Sequence, residues 1–356
     1  MAFYPALVTQ ALSTVIHPEK KQNIVELGMV EDDIRINGNR VSFSLIFDRP
    51  NDPLVDSIKQ KAAQAIKDHL GPDVEIDGNI FVKIRQRAKA PEKPVLPEVR
   101  NVIAVASGKG GVGKSTVTTN LAIALAQAGF KVGLLDADIF GPSVPIMLGT
   151  ENERPVLSDN STPGNELIAP IENYGIKMLS IGFFVDPNKA VAWRGAMATN
   201  AIKQLVTEGD WGQLDYLLID MPPGTSDIQI SIVGLINLTG AIIVSTPQKV
   251  ALADARKGID LFLDPKVQVP VLGIVENMAW FTPEELPNNK YFIFGRDGAK
   301  NLADEMGVPL LGQIPIVQAI RECGDAGSPA ALDPTTPQGQ AFAQLAQHVV
   351  AITTQA

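Results

Sequence analysis

Residues 101–115 read NVIAVASGKGGVGKS. The first seven are mostly apolar, as in a strand buried on both faces of a parallel sheet. Gly108-Lys109-Gly110-Gly111-Val112-Gly113-Lys114-Ser115 follows without a break, and 115–128 carries a helical pattern. Gly108, Gly113, Lys114 and Ser115 stand at the spacing of a phosphate-binding loop. Glycines let the chain turn tightly and aim backbone N–H groups at phosphate oxygens, and the helix N-terminus adds its positive end. Lys114 is placed to reach β- and γ-phosphates, and the Ser115 hydroxyl to ligate magnesium. The expected nucleotide-binding set is therefore Gly108, Lys109, Gly110, Gly111, Val112, Gly113, Lys114, Ser115 and Thr116, with ATP and Mg2+ as ligands.

Gly108, Gly110 and Gly113 also satisfy the dinucleotide fingerprint G-x-G-x-x-G, and Asp136 lies about where its ribose-binding acid belongs. The pair Lys114-Ser115 decides between the two, because a dinucleotide loop has no use for it.

Beyond the loop, strands are expected at 102–106, 132–135, 177–180, 216–219, 241–245, 271–275 and 310–313, with helices at 115–128, 196–207 and 251–263 among them. That alternation predicts an α/β fold with a doubly wound, mostly parallel sheet. Acids close two of the strands. Asp136 and Asp138 stand in LLDADIFGPS (134–143), and Asp220 ends YLLID (216–220). Acids at the carboxyl ends of parallel strands face the ligand crevice. One of the first pair suits positioning the attacking water and the other a water-mediated magnesium contact; capping of the following turn is the plainer alternative. Asp220 suits the metal shell beside Ser115, and Lys114 the phosphoryl charge, while the division of roles between Asp136 and Asp138 stays open on the residues alone. The turn at 222–225, PPGT, could sense a γ-phosphate through its N–H groups.

The proline- and charge-rich stretch 86–99, QRAKAPEKPVLPEV, reads as a semi-rigid linker. It separates a small domain, 1–85, from the P-loop domain, 100–356. The small one reads as α+β: a helix at 5–15, strands at 29–36 and 40–47 around the hairpin signal Asn37-Gly38-Asn39, a helix at 53–70 and a strand at 80–84.

Composition narrows the setting. The 356 residues carry 39 acids against 30 bases, a formal charge of -9, which works against non-specific binding to nucleic acid or anionic lipid. No stretch of about 18 apolar residues reads as a membrane span, and the first residues do not read as a secretory signal. A cytoplasmic protein with neither nucleic-acid nor membrane partners is expected. The one cysteine, Cys323, reads as a packed residue, His17 as a turn or surface residue, and Trp280 and Phe281 as core or lid residues.

At this point the residues resemble a known class. Lys109–Ser115 is similar to the deviant Walker A loop of the MinD/ParA/nitrogenase-iron-protein ATPases. DADIFGPS (136–143), Trp193-Arg194-Gly195, DMPPGTSD (220–227), Ser245-Thr246-Pro247-Gln248 and Glu276-Asn277-Met278 resemble the Mrp/ApbC iron-sulfur cluster carriers. Residues 11–84, through His17-Pro18-Glu19 and NIVELGMV (23–30), resemble the small assembly-factor domain fused to that family. The resemblance implies a homodimer around ATP, with Lys109 reaching the partner's nucleotide, Asp138 orienting water and Asn277 binding adenine, which gives Lys109, Lys114 and Asp138 as the expected catalytic set and Ser115, Asp136 and Asp220 as the expected magnesium residues. It also implies slow hydrolysis coupled to cluster transfer, with apoprotein clients or assembly proteins as partners. One departure stands out. The family's Cys-x-x-Cys after Glu-Asn-Met is absent, and Asp52-Pro53 stands where the small domain's relatives often have a cysteine before proline. A cubane cluster needs four thiolates. A MinD/ParA-like positioning ATPase and a nucleotide-switched scaffold remain alternatives. Against the first, 336–356 contains no Lys or Arg, unlike a basic membrane-binding helix.

Overall fold

Val41, Phe43, Leu45 and Phe47 alternate along 40–47, and all four are buried. That period of two makes one face of a strand apolar. The computed structural model describes residues 4–31, 33–47, 52–84, 95–139, 141–184, 195–225, 227–283, 285–286 and 288–355. The described residues up to 84 form one compact unit and those from 95 a second. The small unit holds α1 (Pro5–Leu12), β1 (Arg35–Asn37), β2 (Arg40–Phe47), α2 (Val55–Leu70) and β3 (Ile80–Ile84). β1 and β2 form the expected antiparallel hairpin, turned at Gly38 with φ +62°, and β3 joins β2 in parallel. Val8 and Leu12 of α1 and Ile58, Ala62 and Ile66 of α2 close the core over the buried side of β2.

One expectation is corrected in this unit and another is narrowed. The strand foreseen at 29–36 forms only at Arg35–Asn37, apart from an isolated bridge between Val30 and Leu45. The Asp33 carboxyl explains the gap: it takes the Ser44 N–H at 2.8 Å and the Ser44 hydroxyl at 2.7 Å, occupying backbone that a strand partner would use. His17 is a turn residue but not a surface one. It is buried, and its Nδ1 accepts the N–H groups of Glu19 and Lys20 at 3.2 Å each.

The large unit runs β4 (Val99–Ala106), α3 (Lys114–Gln127), β5 (Val132–Asp136), α4 (Val144–Met147), β6 (Ile171–Asn173), β7 (Ile176–Ser180), α5 (Gly195–Thr207), β8 (Leu214–Asp220), α6 (Asp227–Leu235), β9 (Gly240–Ser245), α7 (Lys249–Leu263), β10 (Val271–Phe281), α8 (Gly298–Met306), β11 (Leu310–Ile316), α9 (Gln318–Asp325) and α10 (Pro337–Gln355). Its eight strands lie in the order β11-β10-β9-β4-β8-β5-β7-β6, all parallel except the short edge strand β6. Helices cover both faces. On one, α5, α6, α7 and α8 pack against Leu135, Leu217 and Ile219. On the other, α3 and α10 pack against Leu134, Leu218 and Val244. The doubly wound α/β expectation holds.

Trp193 and Arg194 lie outside the described residues, as do Phe140 and Ser226 within the two acidic motifs and 86–94 of the linker stretch. No described helix is long and apolar enough to cross a membrane.

Candidate nucleotide-binding site

β4 sits between β8 and β9, where strand order reverses on either side of the first strand. Open parallel sheets bind ligands outside the carboxyl ends of strands at such a point. The glycine loop 108–113 occupies it, between β4 and the first turn of α3. Two glycines there are obligatory. A Cβ on Gly108 would lie 2.1 Å from the backbone carbonyl carbon of Asp254 in α7. One on Gly113, at φ +81°, would lie 2.2 Å from the Asn277 amide nitrogen. The loop is thus wedged between α7 and β10.

Register brings the charges together. Across β5 and β8, Asp136 lies opposite Asp220, and across β5 and β7 it lies opposite Ser180. Lys114, only 6% exposed, extends its Nζ to Asp220 at 2.9 Å and to Asp138 at 3.5 Å. The Ser115 hydroxyl donates to Asp220 Oδ2 at 2.5 Å and the Thr118 hydroxyl to Oδ1 at 2.8 Å. Lysine, loop hydroxyl and the acid of β8 therefore converge as the sequence expects. Asp136 is saturated from within: it accepts the N–H groups of Asp138 at 3.1 Å and Val144 at 3.3 Å, and the Ser180 hydroxyl at 2.9 Å. Complete burial, and secondarily the Asp220 charge, push its carboxyl up to about 7. Its bonds tie the Asp138 and Val144 backbone to the end of β5. The 222–225 turn is fastened to the loop by the Gly224 N–H, which donates to Ser107 O at 2.9 Å.

On the far side of the loop Asn277, buried near the end of β10, donates to Val112 O at 2.8 Å. It and Thr116 line a cavity of about 470 Å³ together with Gly113, Met278, Phe294 and Ile316. Size and apolar lining suit a nucleobase with its sugar. Lys109 is half-buried, and its carbonyl accepts the Ser107 hydroxyl at 3.0 Å. Trp280 and Phe281 lie outside this lining and are half-buried, Trp280 beneath the Lys290 ammonium at 3.7 Å. Cys323 is half-buried in α9, packed against the core under α10.

Sequence reasoning missed Thr118, Ser180, Met278, Phe294 and Ile316. Thr118 was within reach, since it stands four residues from Lys114 on the same helix face. Ser180 and the cavity walls are set by register and by chain distant in sequence.

The family described as the NUBPL iron-transfer P-loop NTPase matches residues 98–350. The chain belongs to that family. Its small unit matches a second family, described as an iron-sulfur cluster assembly protein, over residues 6–77. Among relatives of this NUBPL-type NTPase, a Synechocystis protein named iron-sulfur cluster carrier protein is 41% identical over 348 residues, 96% of this chain and 97% of that one. Among solved structures, a nucleotide-binding protein from Archaeoglobus fulgidus in complex with ADP superposes with TM-score 0.57 at 37% identity, covering 65% of this chain and 88% of the other. MinD from Pyrococcus horikoshii, complexed with Mg-ADP, gives TM-score 0.51 at 26% identity, over 72% and 100%. The resemblance to Mrp/ApbC carriers thus holds over nearly the whole chain, and this NUBPL-type NTPase is a nucleotide-binding protein.

Proposed function

We propose that the protein binds ATP with magnesium, hydrolyses it slowly as a homodimer, and uses that cycle to carry iron-sulfur clusters to apoproteins or to assist their assembly. The observation that carries the nucleotide half is the convergence of Lys114, Ser115 and Thr118 on Asp220 at a glycine loop. The donor set suits magnesium, because hydroxyl and carboxylate oxygens are the hard ligands it prefers. Three acids there face one lysine, an arrangement short of positive charge. Ser115 and Asp220 would hold the ion, directly or through water, with Asp136 behind them. Held by these residues, magnesium would supply neutralisation of the phosphate charge.

The protein's own residues do the rest. The 108–115 backbone cradles phosphate oxygens, and Lys114 exchanges Asp220 for the β- and γ-phosphates. Lys109 adds a cation from the partner subunit's loop. Asp138 holds water in line with the γ-phosphorus. Asn277 reads the adenine edge with an amide that both donates and accepts. Such a site works by positioning and charge, with little covalent chemistry for the protein to perform.

The cargo half rests on the family and on the names its relatives carry. A second reading, a nucleotide switch that has lost the cluster, is favoured by one observation: a dimer of this chain has two cysteines, from the single Cys323 of each copy. Anaerobic reconstitution with iron and sulfide distinguishes the two, run on wild type and Cys323→Ala, with and without glutathione. Stoichiometric iron with a thiolate-to-iron absorption band supports carriage; no bound iron under any condition leaves the switch alone. Cys323→Ala keeps wild-type ATP turnover under either reading, because Cys323 is neither bonded to Asp220 nor in the lining of the cavity beside Asn277.

A further inference from the structure

Strand β10 changes character just past the nucleotide site. Its pairing with β11 sets Asn277 opposite Ile314 and then Phe281 opposite Ile316, so four steps along β10 match two along β11. Such a bulge bends a strand and re-aims its side chains. Met278, inside the bulge, has φ +57°, and Asp297, immediately before α8, has φ +54°. Left-handed backbone at residues other than glycine is uncommon and persists where the surroundings impose it. The described residues between these two form an arm. Phe281 and Tyr291 exchange both backbone hydrogen bonds at 2.8 Å, Tyr291 and Ile293 are exposed, and Phe294 returns to line the cavity beside Asn277.

One side chain fastens the arm's far end to the strand. Glu276 is fully buried. Its Oε2 accepts the N–H of Ala299, in the first turn of α8, at 2.6 Å. Its Oε1 accepts the Gln313 amide of β11 at 2.7 Å, and that same nitrogen donates to Asp297 Oδ1 at 3.2 Å. A carboxyl this deeply buried is costly unless each oxygen is satisfied, and the clamp satisfies both. The first turn of α8 is also pressed against the β9–α7 connection, since a Cβ on Gly298 would lie 2.4 Å from Pro247 O. The next residue of β10, Asn277, points to the opposite side of the strand and holds the phosphate loop at Val112. Two adjacent residues therefore grip the loop on one side and the root of the arm on the other.

We propose that Glu276 is a positioning residue that couples the nucleotide site to the arm closed by Phe281 and Tyr291. A nucleotide that draws Asn277 from Val112 shifts β10 at its bulge. Glu276 passes that shift to α8, to Gln313 and to Asp297, moving the arm's root. Coupling of this kind needs an element with two arrangements that both sites bias, and the bulged end of β10 supplies it. The inference rests on the nucleotide reading of the cavity beside Asn277.

Backbone hydrogen exchange on the full-length protein, with and without Mg-ADP, tests it. In wild type, Mg-ADP changes exchange at 288–296 by about threefold or more. In Glu276→Gln the affinity for ADP stays within about threefold of wild type while the response at 288–296 disappears. Gln313→Leu, which keeps the Glu276–Ala299 bond but cuts the link to Asp297, lowers the response at 288–296 without abolishing it and serves should the first variant fold poorly. ADP binding to wild type with no change at 288–296, or a full response in folded Glu276→Gln or Gln313→Leu, overturns the coupling and leaves nucleotide binding standing. A wild-type protein that does not bind ADP overturns the nucleotide reading itself.

Discussion

Replacing Lys114 by alanine tests the site through stability and chemistry together. The ammonium is buried and pairs with Asp220 at 2.9 Å and Asp138 at 3.5 Å. Removing one partner from a buried ion pair costs about 3–5 kcal/mol, because the other charge is left uncompensated. Here the loss is partly relieved. Asp136, already pushed up to about 7 by burial and then by the Asp220 charge, takes a proton more readily once the lysine is gone. The net loss is therefore about 2–4 kcal/mol at pH 8 and roughly half that at pH 6. For a unit of this size, each kcal/mol lowers Tm by about 2–4 °C, giving a fall of about 5–15 °C at pH 8. Circular-dichroism melts at both pH values, without nucleotide, measure it, and steady-state phosphate release with Mg-ATP measures turnover, which should vanish. A variant that melts within about 2 °C of wild type at pH 8 and still hydrolyses ATP at the wild-type rate refutes the ion-pair geometry and the assignment of Lys114 together.

Two further outcomes follow from the same region. Asp136→Asn should flatten the pH dependence of apo stability. The folded protein holds a proton on Asp136 between about pH 4 and 7 that the unfolded chain has released, so wild-type stability falls as pH rises through that window, and the asparagine variant loses this component in denaturant titrations at pH 5 and 7.5. Gly108→Ala should weaken ADP binding at least tenfold in calorimetry, since its Cβ would collide with rigid helix backbone rather than a movable side chain; near-normal affinity would mean that α7 can withdraw.

The sequence made the centre of the sheet legible and its margins less so. Runs such as 102–106 and 241–245 are apolar because both faces of those strands are covered by helices. β10 was expected to stop at 275 because Glu276 and Asn277 break the apolar run. It continues to Phe281 since Ala299, Gln313 and Val112 satisfy those polar side chains from elsewhere in the chain. Edge strand β6 has three residues and no periodicity to find. At the site, Lys114 and Ser115 were readable because they follow a strand end at a known spacing, and Asp220 because it closes an apolar strand. Ser180 was not, because only its position opposite Asp136 gives it a role.

The placement of β4 has a consequence in time. It is the first strand of the large unit to be made, yet its neighbours are β8 and β9, which end at Asp220 and Ser245. At about 5–20 residues per second, the glycine loop leaves the ribosome on the order of ten seconds before Asp220 exists. Asn277 and the wall at Ile316 come later still. The small unit, by contrast, has all its strands by Ile84. A ribosome-bound chain therefore carries a finished first unit and a loop with nothing to press phosphate against, and it gains the capacity to grip nucleotide only once Asn277 and Ile316 have been made.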